Sequence, residues 1–265
     1  MNTLAVVAAA WRWNFTGLVD CLALLVFYGL LGGFRWSRAL AWFLAGEILL
    51  AVLVCSPLDL LARQYLFTAE AVEQVLLALV VPYLLVLGIP EKTVRRLRLD
   101  CLHVPYQIAW ILGMAVLSMW YLPRLLNAAL ASDVVRWCEY TTLLLGGGAF
   151  WWPLHSPLRK QRIPLVPTSL LYLAAATVWC SIGGLILAFE QPWVNRYFQP
   201  LDTLHIAESL VGDWSFTRET DQQTAGLLFW LGAASVLLTE IVLVYYRWYR
   251  SPEVRNEGRA SLTRT

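Results

Sequence analysis

Acidic side chains stand inside apolar stretches of this sequence, where a carboxyl group is uncommon: Asp20, Glu47, Glu70, Glu73, Glu139 and Glu240, with Asp221 at the entry to the last such stretch. At the centre of a membrane-spanning helix a carboxylate costs about 2.5–3.5 kcal/mol on insertion scales, so such residues are functional candidates by default. A proton relay would need a series of titratable groups, and neither Glu47 nor Glu240 has one in sequence. Glu47 is expected to take a hydrogen bond from a neighbouring helix, and Glu240 to reach the interface or pair with Arg247. The three histidines, His103, His155 and His205, all fall outside the apolar stretches, which gives haem ligation no support. Five cysteines (Cys21, Cys55, Cys101, Cys138, Cys180) are scattered without any C-x-x-C spacing. They read as small packing hydrophobes. No nucleophile–base pair, phosphate loop, dinucleotide fingerprint or zinc motif is present, so enzymatic activity is not expected.

The elements that must position these groups follow from composition. Of the 265 residues, 59% are hydrophobic and 14% charged, against roughly 45–50% and about 25% in soluble domains. Mean hydropathy is +0.59. The net charge of +2 gives no support to nucleic-acid binding. A spanning helix needs about 20 mostly apolar residues, and seven segments qualify: 13–34, 39–58, 67–90, 104–123, 134–153, 164–189 and 221–246. The expected fold is therefore an all-α integral membrane protein, a bundle of seven transmembrane helices.

Fourteen of the twenty Lys and Arg residues fall in the loops around 35–38, 92–98 and 159–162 and in the tail; the other six, Arg136 among them, are assigned to the opposite face. The positive-inside rule then puts the C-terminus in the cytoplasm and the N-terminus outside. No basic region precedes the first apolar stretch, so a cleaved signal peptide is not expected. Residues 1–250 read as one membrane domain and 251–265 as a basic cytoplasmic tail. The long outer loop, 190–220, carries Trp193, Tyr197, Trp214 and Phe216 and an amphipathic stretch at 201–210. It reads either as a docking surface for a partner or as a solvated cap over the bundle. Trp151-Trp152-Pro153 reads as an interfacial anchor, and Gly146-Gly147-Gly148 and Gly183-Gly184 as sites of close helix approach.

Three ordered patterns lie on this frame. Ser56-Pro57-Leu58 is followed by Leu66-Phe67-Thr68-Ala69 and by Leu84 to Pro90; Phe150-Trp151-Trp152-Pro153-Leu154 ends the fifth segment; Asp221-Gln222-Gln223-Thr224-Ala225-Gly226 opens the seventh. Together the chain resembles the CtaG family, assembly factors of caa3-type cytochrome c oxidase, over nearly its whole length. The resemblance implies a multi-pass protein of the bacterial cytoplasmic membrane that helps mature a haem–copper oxidase, with oxidase subunits as partners and copper handled on the outer side. The alternative is a permanent accessory subunit of an oxidase or larger respiratory complex.

The family's pattern carries paired histidines early in the third helix, one at the end of the fourth and one at the start of the fifth. This sequence departs from it at each place: Glu70 and Gln74 stand at the paired positions, Tyr121 at the third, and Tyr140, after Glu139, at the fourth. Charge-based topology puts Glu70, Gln74, Tyr121, Glu139, Tyr140 and Asp221 in one outer layer, with Asp20 at a comparable depth. A carboxylate, amide and phenol set is hard and oxygen-rich, whereas Cu(I) prefers thiolate, thioether or imidazole. The expectation is a hydrogen-bonded polar network with no cofactor. A repurposed metal site drawing on Glu73 or His205 and a contact with a substrate or partner stay open beside it.

Overall fold

The computed structural model describes residues 15–32, 37–97, 104–158, 162–163, 165–190 and 217–250, and all regular structure among them is helical. Each of the seven apolar segments is a helix. They are α1 (Phe15–Gly32), α2 (Arg38–Cys55), α4 (Phe67–Leu87), α6 (Tyr106–Met119), α8 (Asp133–His155), α9 (Val166–Phe189) and α10 (Arg218–Tyr249). Three short helices join them: α3 (Pro57–Gln64), α5 (Glu91–Arg96) and α7 (Pro123–Ala131). Their starts are encoded locally. Ser37 accepts the Leu40 amide to cap α2, Ser56 accepts the Leu58 amide to cap α3, and Pro57 and Pro123 supply the fixed φ suited to a first turn.

By length and composition, four of these helices can cross a membrane: α2, α4, α9 and α10. A fifth is added if α6 and α7, bent by 68° where Trp120 to Leu122 break the run, count as one span. The protein is thus a multi-pass membrane protein. Of the seven spans expected, α8 and α1 are not among these. Helix α8 has 23 residues, long enough at about 1.5 Å per residue, but carries Asp133, Arg136 and Glu139 in its first two turns. In α1 the stretch Cys21–Leu30 is apolar.

Helix α4 lies at the centre: 61% of its apolar window is buried inside the protein, against 22% for α10, which turns Leu231, Leu238 and Val242 outward. Midway along α4 the turn 76–80 widens to a π-helix just before Pro82. Pro82 has no N–H to give to Ala78, and the widened turn leaves carbonyls free for other helices. Trp151 Nε1 donates to Leu79 O at 2.8 Å, and Gly147 packs so closely that a Cβ there would clash with Ala78 O. Helices α9 and α10 approach antiparallel through Gly184 and Gly226, where a Cβ on either would meet the partner's backbone within 3 Å. Gln222 then donates to Leu187 O and Glu190 O, closing the end of α9.

Candidate functional site

Glu70, Glu73 and Gln74 occupy i, i+3 and i+4 in the first turns of α4, so they share a face. Arg136, Glu139 and Tyr140 repeat the spacing in the first turns of α8. The two faces meet. Arg136 Nη1 donates to Glu70 Oε1 at 2.6 Å and to Glu139 Oε2 at 3.1 Å, while Nη2 donates to Glu73 Oε2 at 2.7 Å. Its Nε donates to the Tyr140 hydroxyl at 3.1 Å, and the guanidinium carbon lies 4.8 Å from the centre of that ring. Gln74 Nε2 bridges Glu70 Oε1 at 2.8 Å and Glu139 Oε1 at 2.5 Å. Glu70, Glu73, Arg136 and Glu139 are all 0% exposed.

A rim on α3 extends the cluster outward. The Tyr140 hydroxyl lies 2.5 Å from Glu73 Oε1 and 2.8 Å from Asp59 Oδ1. Asp59 accepts from Arg63 Nε at 2.8 Å, and Arg63 Nη1 reaches Asp133 at 2.6 Å. Burial alone would pull the Arg63 guanidinium down; Asp59 more than offsets it, leaving Arg63 above its ordinary pKa. Arg63 and Arg136 therefore set two cations among Asp59, Glu70, Glu73 and Glu139.

Of the six residues placed in one layer from sequence, the structure brings Glu70, Gln74, Glu139 and Tyr140 together. The other two do different work. Asp221 accepts the Phe67 and Thr68 amides at 2.7 and 2.9 Å, and Thr68 Oγ1 donates back to Asp221 O at 3.0 Å. A carboxylate from α10 thereby caps α4 at its positive end, in place of a residue of α4 itself. Tyr121 sits at the α6–α7 break with its ring edge against Phe229, 4.8 Å between centroids, and its buried hydroxyl makes no hydrogen bond among the described residues. Trp193, Tyr197, Trp214 and Phe216, His205 and the amphipathic stretch 201–210 lie outside the described residues, as does the Asp20 side chain.

Arg136 is the residue the sequence reading missed. Counted as an outer-face loop charge, it lies inside the bundle at the centre of the cluster. The signal was its spacing, since Arg136, Glu139 and Tyr140 repeat the i, i+3, i+4 pattern of Glu70, Glu73 and Gln74. Asp59 and Arg63 were missed because α3 looked like a loop between spans.

A second polar group joins α4, α8 and α10 toward their other ends. Tyr83 donates to Glu240 Oε2 at 2.9 Å, His155 Nε2 lies 3.2 Å from Glu240 Oε1, and Arg247 Nη1 lies 3.7 Å from the same oxygen. Glu240 thus meets Arg247, with Tyr83 and His155 as additional partners. Glu47 is 6% exposed and neither carboxyl oxygen is hydrogen bonded, so the expected bond from a neighbouring helix is not made among the described residues.

The donors gathered around Arg136 are carboxylate, amide and phenol oxygens, and a guanidinium already occupies their centre. Among the described residues no group of three or more His, Cys, Asp or Glu is disposed to hold a metal ion. These residues do not fit copper, whose reduced form seeks sulfur or imidazole.

Comparison with known proteins gives one match along most of the chain: residues 25–251 match the family described as cytochrome c oxidase caa3 assembly factor (Caa3_CtaG). The chain belongs to that family. This CtaG-family protein also resembles, at 40% identity over 74 residues, a 4-hydroxybenzoate octaprenyltransferase of Pseudomonas fluorescens (strain Pf0-1). That match covers 27% of the chain and 24% of the relative, so the chain spans about a quarter of that protein. No solved structure matches. The family's description is that of an assembly factor for caa3-type cytochrome c oxidase.

Proposed function

We propose that this CtaG-family protein supports oxidase assembly by contacting other proteins, without carrying copper on the residues that replace the family histidines. The observation behind this reading is Arg136, wholly buried, with its guanidinium bonded to Glu70, Glu73 and Glu139 at 2.6–3.1 Å. A tethered cation already occupies the centre of the carboxylates and is hydrogen bonded to all three, and a metal ion would have to displace it. The cluster then pins α3, α4 and α8 together, and contacts with other proteins fall to other parts of the chain, the aromatic residues of the 190–220 stretch among them.

The rest of the reading follows from the same frame. Helices α1 and α8 cross with the other five, giving seven spans in the bacterial cytoplasmic membrane, N-terminus outside. Residues 1–250 act as one membrane unit and perform no enzymatic step.

The test is purification of the native protein in mild detergent, with metal analysis and identification of bound proteins. Expected are copper far below one ion per chain and oxidase subunits bound substoichiometrically, enriched from cells in which oxidase maturation is stalled. A full equivalent of copper lost on Glu70→Ala would overturn the metal-free reading. Fixed stoichiometry with the mature oxidase would make the protein a permanent subunit.

A further inference from the structure

Gly146, Gly147 and Gly148 follow one another on α8, and two of them are explained by helix packing. A Cβ on Gly146 would meet Val116 at 3.0 Å, and one on Gly147 would meet the α4 backbone. Gly148 differs: a Cβ there would meet nothing within 4 Å. The missing side chain leaves a groove between α4, α6 and α8 of about 300 Å³, lined by Val86, Ile89, Leu112, Leu145, Gly148 and Trp152 among others. Its walls are almost wholly apolar. The rim residues Leu112 and Leu145 are 47% and 69% exposed, so the groove opens sideways toward the region that lipid tails fill.

One end of the groove is chemically different. Its lining residue Pro153 accepts a hydrogen bond from the Ile163 amide at 2.8 Å, and the adjacent, exposed Arg162 donates its Nε to Ser156 O at 2.6 Å, leaving its other guanidinium nitrogens for a ligand. Exposed Lys92 follows lining residue Ile89 by three positions at the start of α5, and among the described residues it has no carboxylate partner, since Glu91 pairs with Arg95. Trp152, on the lining itself, is the side chain that favours the level of lipid headgroups. An apolar slot with an indole on its lining, and with exposed cations three residues along the chain from Ile89 and beside the residue bonded to Pro153, matches a chain with an anionic head. Basic pockets between spans at one membrane face bind anionic headgroups on the same grounds.

We infer that the groove at Gly148 is a binding site for one acyl chain of an anionic phospholipid, whose phosphate is held by Lys92 and Arg162. The lipid fills the gap that no side chain fills, and a glycine at 148 keeps the gap open.

Native mass spectrometry of the detergent-solubilised full chain tests this, after delipidation and incubation with phosphatidylglycerol, phosphatidylcholine or an isoprenoid quinone. The wild type should retain one phosphatidylglycerol with roughly tenfold preference over phosphatidylcholine, because the choline cation offsets the phosphate that both lipids carry and is repelled by Lys92 and Arg162. Gly148→Leu should abolish retention while leaving the thermal midpoint unchanged, because the added side chain meets only open space. If Gly148→Leu does not fold, Leu145→Trp on the exposed rim carries the same expectation. Lys92→Gln/Arg162→Gln should remove the headgroup preference and spare acyl binding. Equal retention of phosphatidylcholine or of quinone by the wild type, or unchanged retention by a folded groove-filling variant, would overturn the inference.

Discussion

A guanidinium enclosed by three glutamates in an apolar bundle is held by mutual need. Removing one partner of such a buried set strands the others, which costs about 3–5 kcal/mol, whereas an apolar replacement of the whole set can be neutral. Arg136→Met should therefore lower stability in detergent by about 3 kcal/mol or more, read as a drop in the unfolding midpoint. Adding Glu73→Gln to that background should restore part of the loss, because one stranded carboxylate is then gone. Additive losses in this cycle would mean the two side chains do not interact. The acids of this centre were legible in sequence because a carboxylate in an apolar run stands out. Their neutralisation was not, because Arg136 lies only three residues inside α8. Counting charges by segment assigns such a residue to the nearest loop, and only the meeting of two helix faces moves it inside. Asp221 shows the same limit. Its place at the start of α10 was readable, but its service to α4 depends on a contact across 154 residues.

Helix lengths were the most readable property, since apolar runs map directly onto the long helices. Connecting helices were not, because α3 and α7 are eight and nine residues long and isolated helices of that size are marginal without tertiary partners. The π-turn in α4 was equally hidden. Its cause, Pro82, is visible in sequence, but its consequence depends on what α8 offers. Helix α8 offers Gly147 and Trp151, one vacating space for the freed backbone and the other donating to it. Gly147→Ala should therefore separate α4 from α8 and lower the unfolding midpoint strongly, by about 1–3 kcal/mol as overpacking does. Gly148→Ala, one residue further, should match wild type or exceed it by up to about 1 kcal/mol, because nothing opposes the gain in helix propensity there. Equal effects of the two substitutions would refute the close approach at Ala78. The i, i+1 pair makes a strict control, because helix propensity changes identically at both positions and only the surroundings differ.

At the scale of the whole molecule the polar groups segregate. The Arg136 cluster, the Asp221 cap and the Gln222 seal lie at one end of the bundle. Lys92, Arg95, Arg96, Arg162 and Arg247 lie at the other, where Arg96 also donates to Leu30 O on α1. The alternation is consistent helix by helix: α4 begins at the acidic end and finishes at the basic end, α6 returns, and α8 repeats α4. If the basic end faces the cytoplasm, that orientation can be read with single thiols placed in a background from which the five cysteines have been removed. Thiols at 92 and 162 should react with a membrane-impermeant maleimide only after spheroplasts are opened, and thiols at 133 and 218 should react on intact ones. The choice of positions makes the test discriminating, because 133 and 162 flank α8, the helix whose Arg136 and Glu139 keep it from looking like a span. Labelling of both on the same side would mean that α8 does not cross. The ion cluster would then belong to a re-entrant element, and the seven-span arrangement would fail. Opposite-sided labelling means that Glu139 and Arg136 enter the bilayer already ion-paired and hydrogen-bonded with Glu70 and Glu73 of α4, which lowers the cost of carrying their charge across.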